Sequence, residues 1–224
     1  VDAAIARVDA DLRATRGEVW REMHRMQRAM RDMQRETVKA LAATVAARDP
    51  FMQGHAARVA GLCRQVGAAL RLDAEQAELL ETAAVLHEIG KASVPLELLH
   101  KTEPLSPDEL ERIRAHARVG ADIVRGVPTL TRVAPLIEHQ GTDYANLPAD
   151  TDPPVAELKL LAGILRVVDV WDAMVSARSY REAMPLEYCE QTLRTGAGTR
   201  FHPAAVEAVL RLTPPSPRAP ARTP

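Results

Sequence analysis

Apolar residues in the first 48 positions fall on one stripe. Val19, Met23, Met26, Met30 and Met33 recur at spacings of 4, 3, 4 and 3, and Ile5, Val8 and Leu12 keep the same rhythm. That is a heptad-type seam on a long helix, set among Ala, Arg, Glu, Met and Gln, all good helix formers. Few core-sized residues lie off the seam. This favours a coiled-coil dimer or signalling linker over a helix packed on its own domain. The Arg-rich stretch from Arg21 to Arg35 also carries Glu22 and Asp32. It reads as a solvated helix face, not a nucleic-acid site.

Asp49-Pro50 breaks this helix. Helical patterns then follow one another. Residues 54–71 carry Val59, Leu62, Val66 and Leu70; residues 74–87 carry Ala77, Leu80, Ala84 and Leu86, with Asp73 as N-cap. Ser106-Pro107-Asp108-Glu109 opens another helix with cap residue and N1 proline in the preferred order. Residues 129–139, 155–176, 185–195 and 203–212 complete the set. Nothing alternates with period two, so no sheet is expected. From Thr213 the chain holds Pro214, Pro215, Pro217, Pro220 and Pro224 and reads as a disordered tail. The expected organisation is a long N-terminal helix over 1–48, an all-α domain over 49–212 and a tail over 213–224.

Composition narrows the picture little. The chain has 224 residues, 46% hydrophobic and 26% charged, as in a soluble globular protein. Aromatics make up only 3%, so the core must come from Leu, Val, Ile, Ala and Met. A net charge of −1 gives no global attraction to DNA or membrane. Cys63 and Cys189 lie far apart, and as reduced thiols they suggest a cytoplasmic protein. No apolar run reaches the roughly 18 residues of a membrane span. The chain begins at Val1 rather than Met, so an upstream sensory or receiver region is expected.

The chemistry lies in the histidines. His55 sits in GHAARVA, His87 and Glu88 in VLHEIGK, His116 in RAHARVGADI, His139 in LIEHQ and Asp169 in RVVDVWDAM. Each falls in or at the end of an apolar helical segment, where an unpaired polar group is costly. For any one of them a hydrogen-bonded core residue is the simpler account. Five such positions, one per successive helix, point instead to a metal site in the middle of a bundle. Mixed imidazole and carboxylate donors suit Fe, Mn or Zn better than Mg or Ca. Such ions activate water and neutralise a phosphoryl transition state.

ETVKALAATVAARDPFMQGHAARVA followed by LHEIGKASVP resembles the opening of an HD-GYP domain. The resemblance continues through LSPDELERIRAHARVGADIV, RVVDVWDAMVSARSYREAM and GAGTRFHP, roughly residues 36–212. It implies an all-α, HD-type helical bundle and a metal-dependent phosphodiesterase acting on cyclic di-GMP in bacterial second-messenger signalling. His55, His87, Glu88, His116, His139 and Asp169 correspond to the family's metal ligands. Lys91 corresponds to a lysine that helps bind the substrate phosphate, and with His87 and Glu88 it forms the expected catalytic set. Arg178 and Arg181 correspond to basic residues that hold the cyclic dinucleotide.

Several positions depart from the family. The bridging Asp is Glu88, whose extra methylene moves its oxygens by about a bond length against a ligand tolerance of about 0.2 Å. The paired His-His is His139-Gln140, and an amide oxygen is a poorer transition-metal donor than imidazole. The segment ending in Gly-Tyr-Pro is GTDYANLPAD, which keeps Pro148 and offers Asp143 and Tyr144 instead. The aspartate of a late motif is His202, read as a loop residue. A first metal is expected on His55, His87, Asp169 and Glu88. A second, needing His116, His139 and the missing histidine, is weakened, as is the activity. The competing expectation is a catalytically inactive module that binds a nucleotide or partner protein and signals through a homodimeric N-terminal helix.

Overall fold

The structure, a computed structural model, describes residues 2–48, 54–148, 153–176 and 182–213. The helix break at Asp49-Pro50 and the proline-rich stretch from Pro214 onward lie outside the described residues. All described secondary structure is helical, apart from one isolated bridge between Ala197 and Phe201. The chain divides into two compact units, Val1–Ala40 and Leu41–Pro224.

The first unit is formed by helix α1 (Asp2–Ala46), which continues a few residues into the second. The expected seam lies open on it: Val19 is 62% exposed and Met33 67%, and Leu12, Met23, Met26 and Met30 are exposed with them. Ile5 and Val8 fall among side chains that are not described.

The second unit contains α2 (His55–Ala69), α3 (Ala74–Leu86), α4 (Leu96–Leu99), α5 (Pro107–Arg114), α6 (His116–Arg125), α7 (Ala134–His139), α8 (Pro153–Val175), α9 (Leu186–Gly196) and α10 (Pro203–Leu212). Short 3-10 turns cover Ile89–Ser93, Pro128–Leu130 and Tyr144–Asn146. Helix α8 is apolar nearly all round and forms the axis of the bundle. Leu161, Ile164, Leu165, Val167 and Val168 are fully buried, with α2, α3, α7, α9 and α10 packed around them. Low aromatic content leaves the core mostly to aliphatic side chains; Trp171 and Phe201 are buried exceptions.

Side-chain caps mark the starts of α3, α5 and α10. The Asp73 side chain accepts from Gln76 N–H at 2.9 Å while the Gln76 side chain accepts from Asp73 N–H at 3.3 Å, a reciprocal capping box. Ser106 and Glu109 repeat it ahead of Pro107. Helix α2 ends in a Schellman-type reversal: Leu72 N–H donates to Gly67 O at 2.9 Å, and Arg71 takes φ 59°. Two expected helices are divided. Residues 129–139 form a 3-10 turn and then α7, because Pro128 and Pro135 each start a new turn. The segment after Ser106 breaks at Ala115, so His116 begins a helix of its own.

Two glycines bring the turn after His87 against α6. A Cβ on Gly90 would lie 1.9 Å from His116 O and 2.6 Å from Gly120 N. Only a bare Cα permits this approach, and it fixes the turn carrying Glu88 and Lys91 against the start of α6. Gly90→Ala is expected to cost on the order of 3 kcal/mol in urea unfolding through forced displacement of backbone. Gly61→Ala, on α2 with nothing within 4 Å of the added Cβ, is expected to be neutral or to stabilise by up to about 1 kcal/mol.

Candidate metal centre

The polar side chains of the bundle come largely from helix ends. His55 opens α2, directly after Gly54, which takes φ 78° as the N-cap. His87 caps the C-terminus of α3, and Glu88 leads into the next turn. Asp169 projects from the interior of α8. Ligand atoms of His55, His87, Glu88 and Asp169 all lie within 4.8 Å of one another.

Hydrogen bonds on the far side of each imidazole aim the near side inward. His55 Nδ1–H donates to Asp172 Oδ2 at 2.8 Å, and His87 Nδ1–H donates to Ala84 O at 2.8 Å. Both Nε2 atoms then point at the same space, 3.2 Å apart, with Asp169 Oδ1 at 3.3 and 3.5 Å. Two nitrogen lone pairs cannot face each other at that distance without a positive charge beside them. Glu88 Oε2 is also buried and lacks a hydrogen-bond partner. Two imidazoles, two carboxylates and an orphaned carboxylate oxygen fit a divalent transition metal, and the outer hydrogen bonds are of the kind that orient metal-bound histidines.

Without a metal, a proton supplies the positive charge. Burial alone would lower the His55 pKa, but hydrogen bonds to Asp169 and Asp172 outweigh it and raise the value to about 9. Burial would raise Glu88, yet Lys91 and the neighbouring imidazoles hold it down to about 2. Asp169, also pushed up by burial, is held well below the ordinary carboxylate range by His55 and His87.

The other expected ligands are placed differently. His116 Nε2 lies 3.3 Å from Glu88 Oε2, at the edge of the cluster. Its Nδ1–H donates to Ile113 O at 2.6 Å. Gln140, only 5% exposed, donates through Nε2 to His87 O at 2.7 Å and lies 3.3 Å from His116 Nε2. The bond to a carbonyl fixes the NH2 end of the amide there, so Gln140 presents a donor to the lone pair that a second metal would need. His139 points elsewhere, with Nδ1 3.4 Å from Thr142 Oγ1. Lys91 Nζ pairs with Glu88 Oε1 at 2.7 Å. Arg178 and Arg181 lie outside the described residues.

Sequence reasoning missed Asp172 and Arg58. Arg58 grips Asp172 through Nε at 2.7 Å and Nη2 at 2.9 Å, while Asp172 holds His55. The signal was present as Asp169-x-x-Asp172 and His55-x-x-Arg58, one helical turn each. It also missed three arginines, Arg114, Arg166 and Arg200, which line a cavity of about 630 Å³ beside Glu88, His116, Gln140 and Asp169.

The HD domain family matches residues 39–205, three quarters of the chain and the whole of this centre. The chain belongs to the HD domain family. Its relatives include cyclic-dinucleotide phosphodiesterases, and a solved HDGYP protein shares its fold. The cyclic di-GMP phosphodiesterase response regulator RpfG of Xanthomonas campestris is 32% identical over 80% of the chain and 48% of its own length. A 3'3'-cGAMP-specific phosphodiesterase of Vibrio cholerae is 30% identical over 81% of the chain and 35% of its own length. The chain thus spans about half or less of these relatives. Among solved structures, an HDGYP protein of Bdellovibrio bacteriovorus shares the fold with TM-score 0.55, at 18% identity over 70% of the chain and 51% of its own. A cyclic GMP-AMP specific phosphodiesterase of V. cholerae matches with TM-score 0.51, at 28% identity over 79% of the chain and 41% of its own.

The raised His55 pKa sets a pH signature. A proton held more tightly in the folded than in the unfolded chain stabilises fully below the unfolded pKa of 6.5 and is lost through about 9. Chelator-treated protein is therefore expected to lose urea stability between pH 6.5 and 9, and His55→Gln to show a flatter profile. Asp172→Asn keeps every ligand but loses the charge that orients His55. It is expected to weaken metal affinity by roughly 10–100-fold in equilibrium titration.

Proposed function

We propose that this HD domain is a metal-dependent phosphodiesterase that takes cyclic di-GMP, works through one metal ion and turns over slowly. The observation that carries the reading is the preformed four-ligand cluster of His55, His87, Glu88 and Asp169 at the edge of an arginine-lined cavity. A divalent ion held there supplies Lewis-acid charge next to a scissile phosphodiester. Hydrogen bonds to Asp172 and the Ala84 carbonyl orient His55 and His87, whose Nε2 atoms would hold that ion. Lys91 keeps Glu88 ionised and in place. Arg114, Arg166 and Arg200 offer guanidinium groups to phosphate oxygens on the cavity wall.

Support for a single ion comes from Gln140 and His139. The first engages the His116 lone pair with a donor, and the second faces Thr142. A single ion would supply less charge stabilisation to a phosphoryl transition state than two, so turnover should be low. The exposed seam of α1 supports a second element of the proposal. Two chains pair through this helix, which would link the HD domain to an upstream region of the protein.

Purified protein loaded with Mn2+ or Fe2+ is expected to hold one ion per chain by elemental analysis and to hydrolyse cyclic di-GMP slowly. His87→Ala should abolish both. Gln140→His should raise the stoichiometry toward two and increase the rate. Metal-bound protein that binds cyclic di-GMP without any hydrolysis would favour a signalling module over an enzyme. Light scattering is expected to give a dimer for the full chain and a monomer for a version beginning at Ala40; a full-length monomer rules out the seam as a dimer interface.

A further inference from the structure

Arg166 is a half-buried arginine whose Nε is buried without a hydrogen-bond partner. It stands on α8 one turn before Asp169, so both side chains leave the same face of the helix and both line the same cavity. Its side chain is only 20% exposed, its Nε is buried without a hydrogen-bond partner, and its Nη2 reaches Asp143 Oδ1 at 3.5 Å. A charge-assisted N–H···O bond normally closes to about 2.7–2.9 Å. A guanidinium carries five N–H donors, and burying it so weakly satisfied is unfavourable. On the rest of the cavity wall Arg114 of α5 and Arg200 after α9 add positive charge, Glu138 adds a negative one, and Glu88 and Asp169 belong to the metal cluster.

Asp143 is placed to be displaced. Its side chain is 41% exposed. It belongs to the segment that stands where the family pattern has Gly-Tyr-Pro, and that segment is pinned at its backbone. Tyr144 N–H donates to Arg200 O at 3.2 Å and Ala145 N–H to Thr199 O at 2.8 Å. The carboxylate therefore stays beside Arg166 without closing on it.

We propose that Arg166 takes a phosphate oxygen of the ligand in this cleft, with Asp143 as the counter-ion it exchanges for that phosphate. The proposal rests on the reading of the cleft as a phosphodiester site and names the residue that recognises the phosphate. A phosphate presents several acceptor oxygens in the planar spacing a guanidinium fork matches, where Asp143 makes one long contact. Arg166 stands three residues, about 4.5 Å along the helix axis, from Asp169 of the metal cluster, and both side chains line the cleft.

The test titrates cyclic di-GMP into the Mn2+-loaded full chain by calorimetry and follows Tm against inorganic phosphate in parallel. Arg166→Ala is expected to bind the dinucleotide roughly tenfold or more weakly and to lose the phosphate-dependent rise in Tm, with metal content unchanged. Arg166→Lys keeps the stem packing and the charge but not the fork, and is also expected to bind more weakly; it carries the test if the alanine variant misfolds. Asp143→Asn is expected to bind as tightly as wild type or tighter, and weaker binding contradicts its role as counter-ion. Equal dinucleotide affinity in wild type and both Arg166 variants overturns the subsite and leaves the phosphodiesterase reading standing. A Tm rise with phosphate that needs Arg166, without dinucleotide binding, supports the subsite and removes cyclic di-GMP. Wild-type protein silent to both probes overturns both.

Discussion

His55 and His87 face each other across 3.2 Å, nitrogen to nitrogen, in the middle of the bundle. Like lone pairs repel, so this contact persists only with a proton or a metal beside it, and much of the architecture serves to hold it. Gly54 turns the chain so that α2 begins at His55; the C-terminus of α3 delivers His87; α8 brings Asp169 to both. Arg58 and Asp172 fix the outer edge of one ring and the Ala84 carbonyl fixes the other. The close approach of Gly90 to α6 sets the turn that carries Glu88. Each device costs conformational freedom or packing elsewhere, and together they make a site that is ordered before a ligand arrives.

The helices were legible in the sequence because period, capping boxes and proline breaks all agree along most of the chain. Boundaries slipped where prolines or a left-handed residue interrupt a smooth apolar pattern, as at Pro135 and Arg71. The site was legible in part. His55, His87, Glu88 and Asp169 converge, but His139 does not. His139 and Gln140 are neighbours at the end of a six-residue helix, and successive residues there point about 100° apart. Here Gln140 turns to the His87 carbonyl while His139 Nδ1 lies beside Thr142. Asp172, Arg58 and Arg166 were missed because a one-turn spacing of charges is common on any helix surface; only coordinates show which turn faces inward.

The replaced positions form a coherent set. Glu88 reaches the cluster despite its longer side chain, with one oxygen paired to Lys91 and the other, without a hydrogen bond, 3.3 Å from His116 Nε2. Gln140 uses its amide to satisfy a backbone carbonyl and to sit against His116. On the proposed reading one half of a two-ion arrangement is retained, and hydrogen bonds of Gln140 occupy the other. The cleft beside it sets Arg114, Arg166 and Arg200 against Glu88, Glu138, Asp143 and Asp169, so its attraction for an anion depends on the positive charge that a metal would add at the cluster.

X-ray absorption at the metal edge of Mn2+- or Fe2+-loaded protein tests the central claim most directly, because it counts imidazoles around the ion without depending on any substrate. The account predicts a nitrogen and oxygen shell at about 2.0–2.2 Å, outer scattering from two imidazoles, and no metal neighbour. A spectrum without imidazole scattering, or one with a second metal at about 3.5–4 Å, would contradict it.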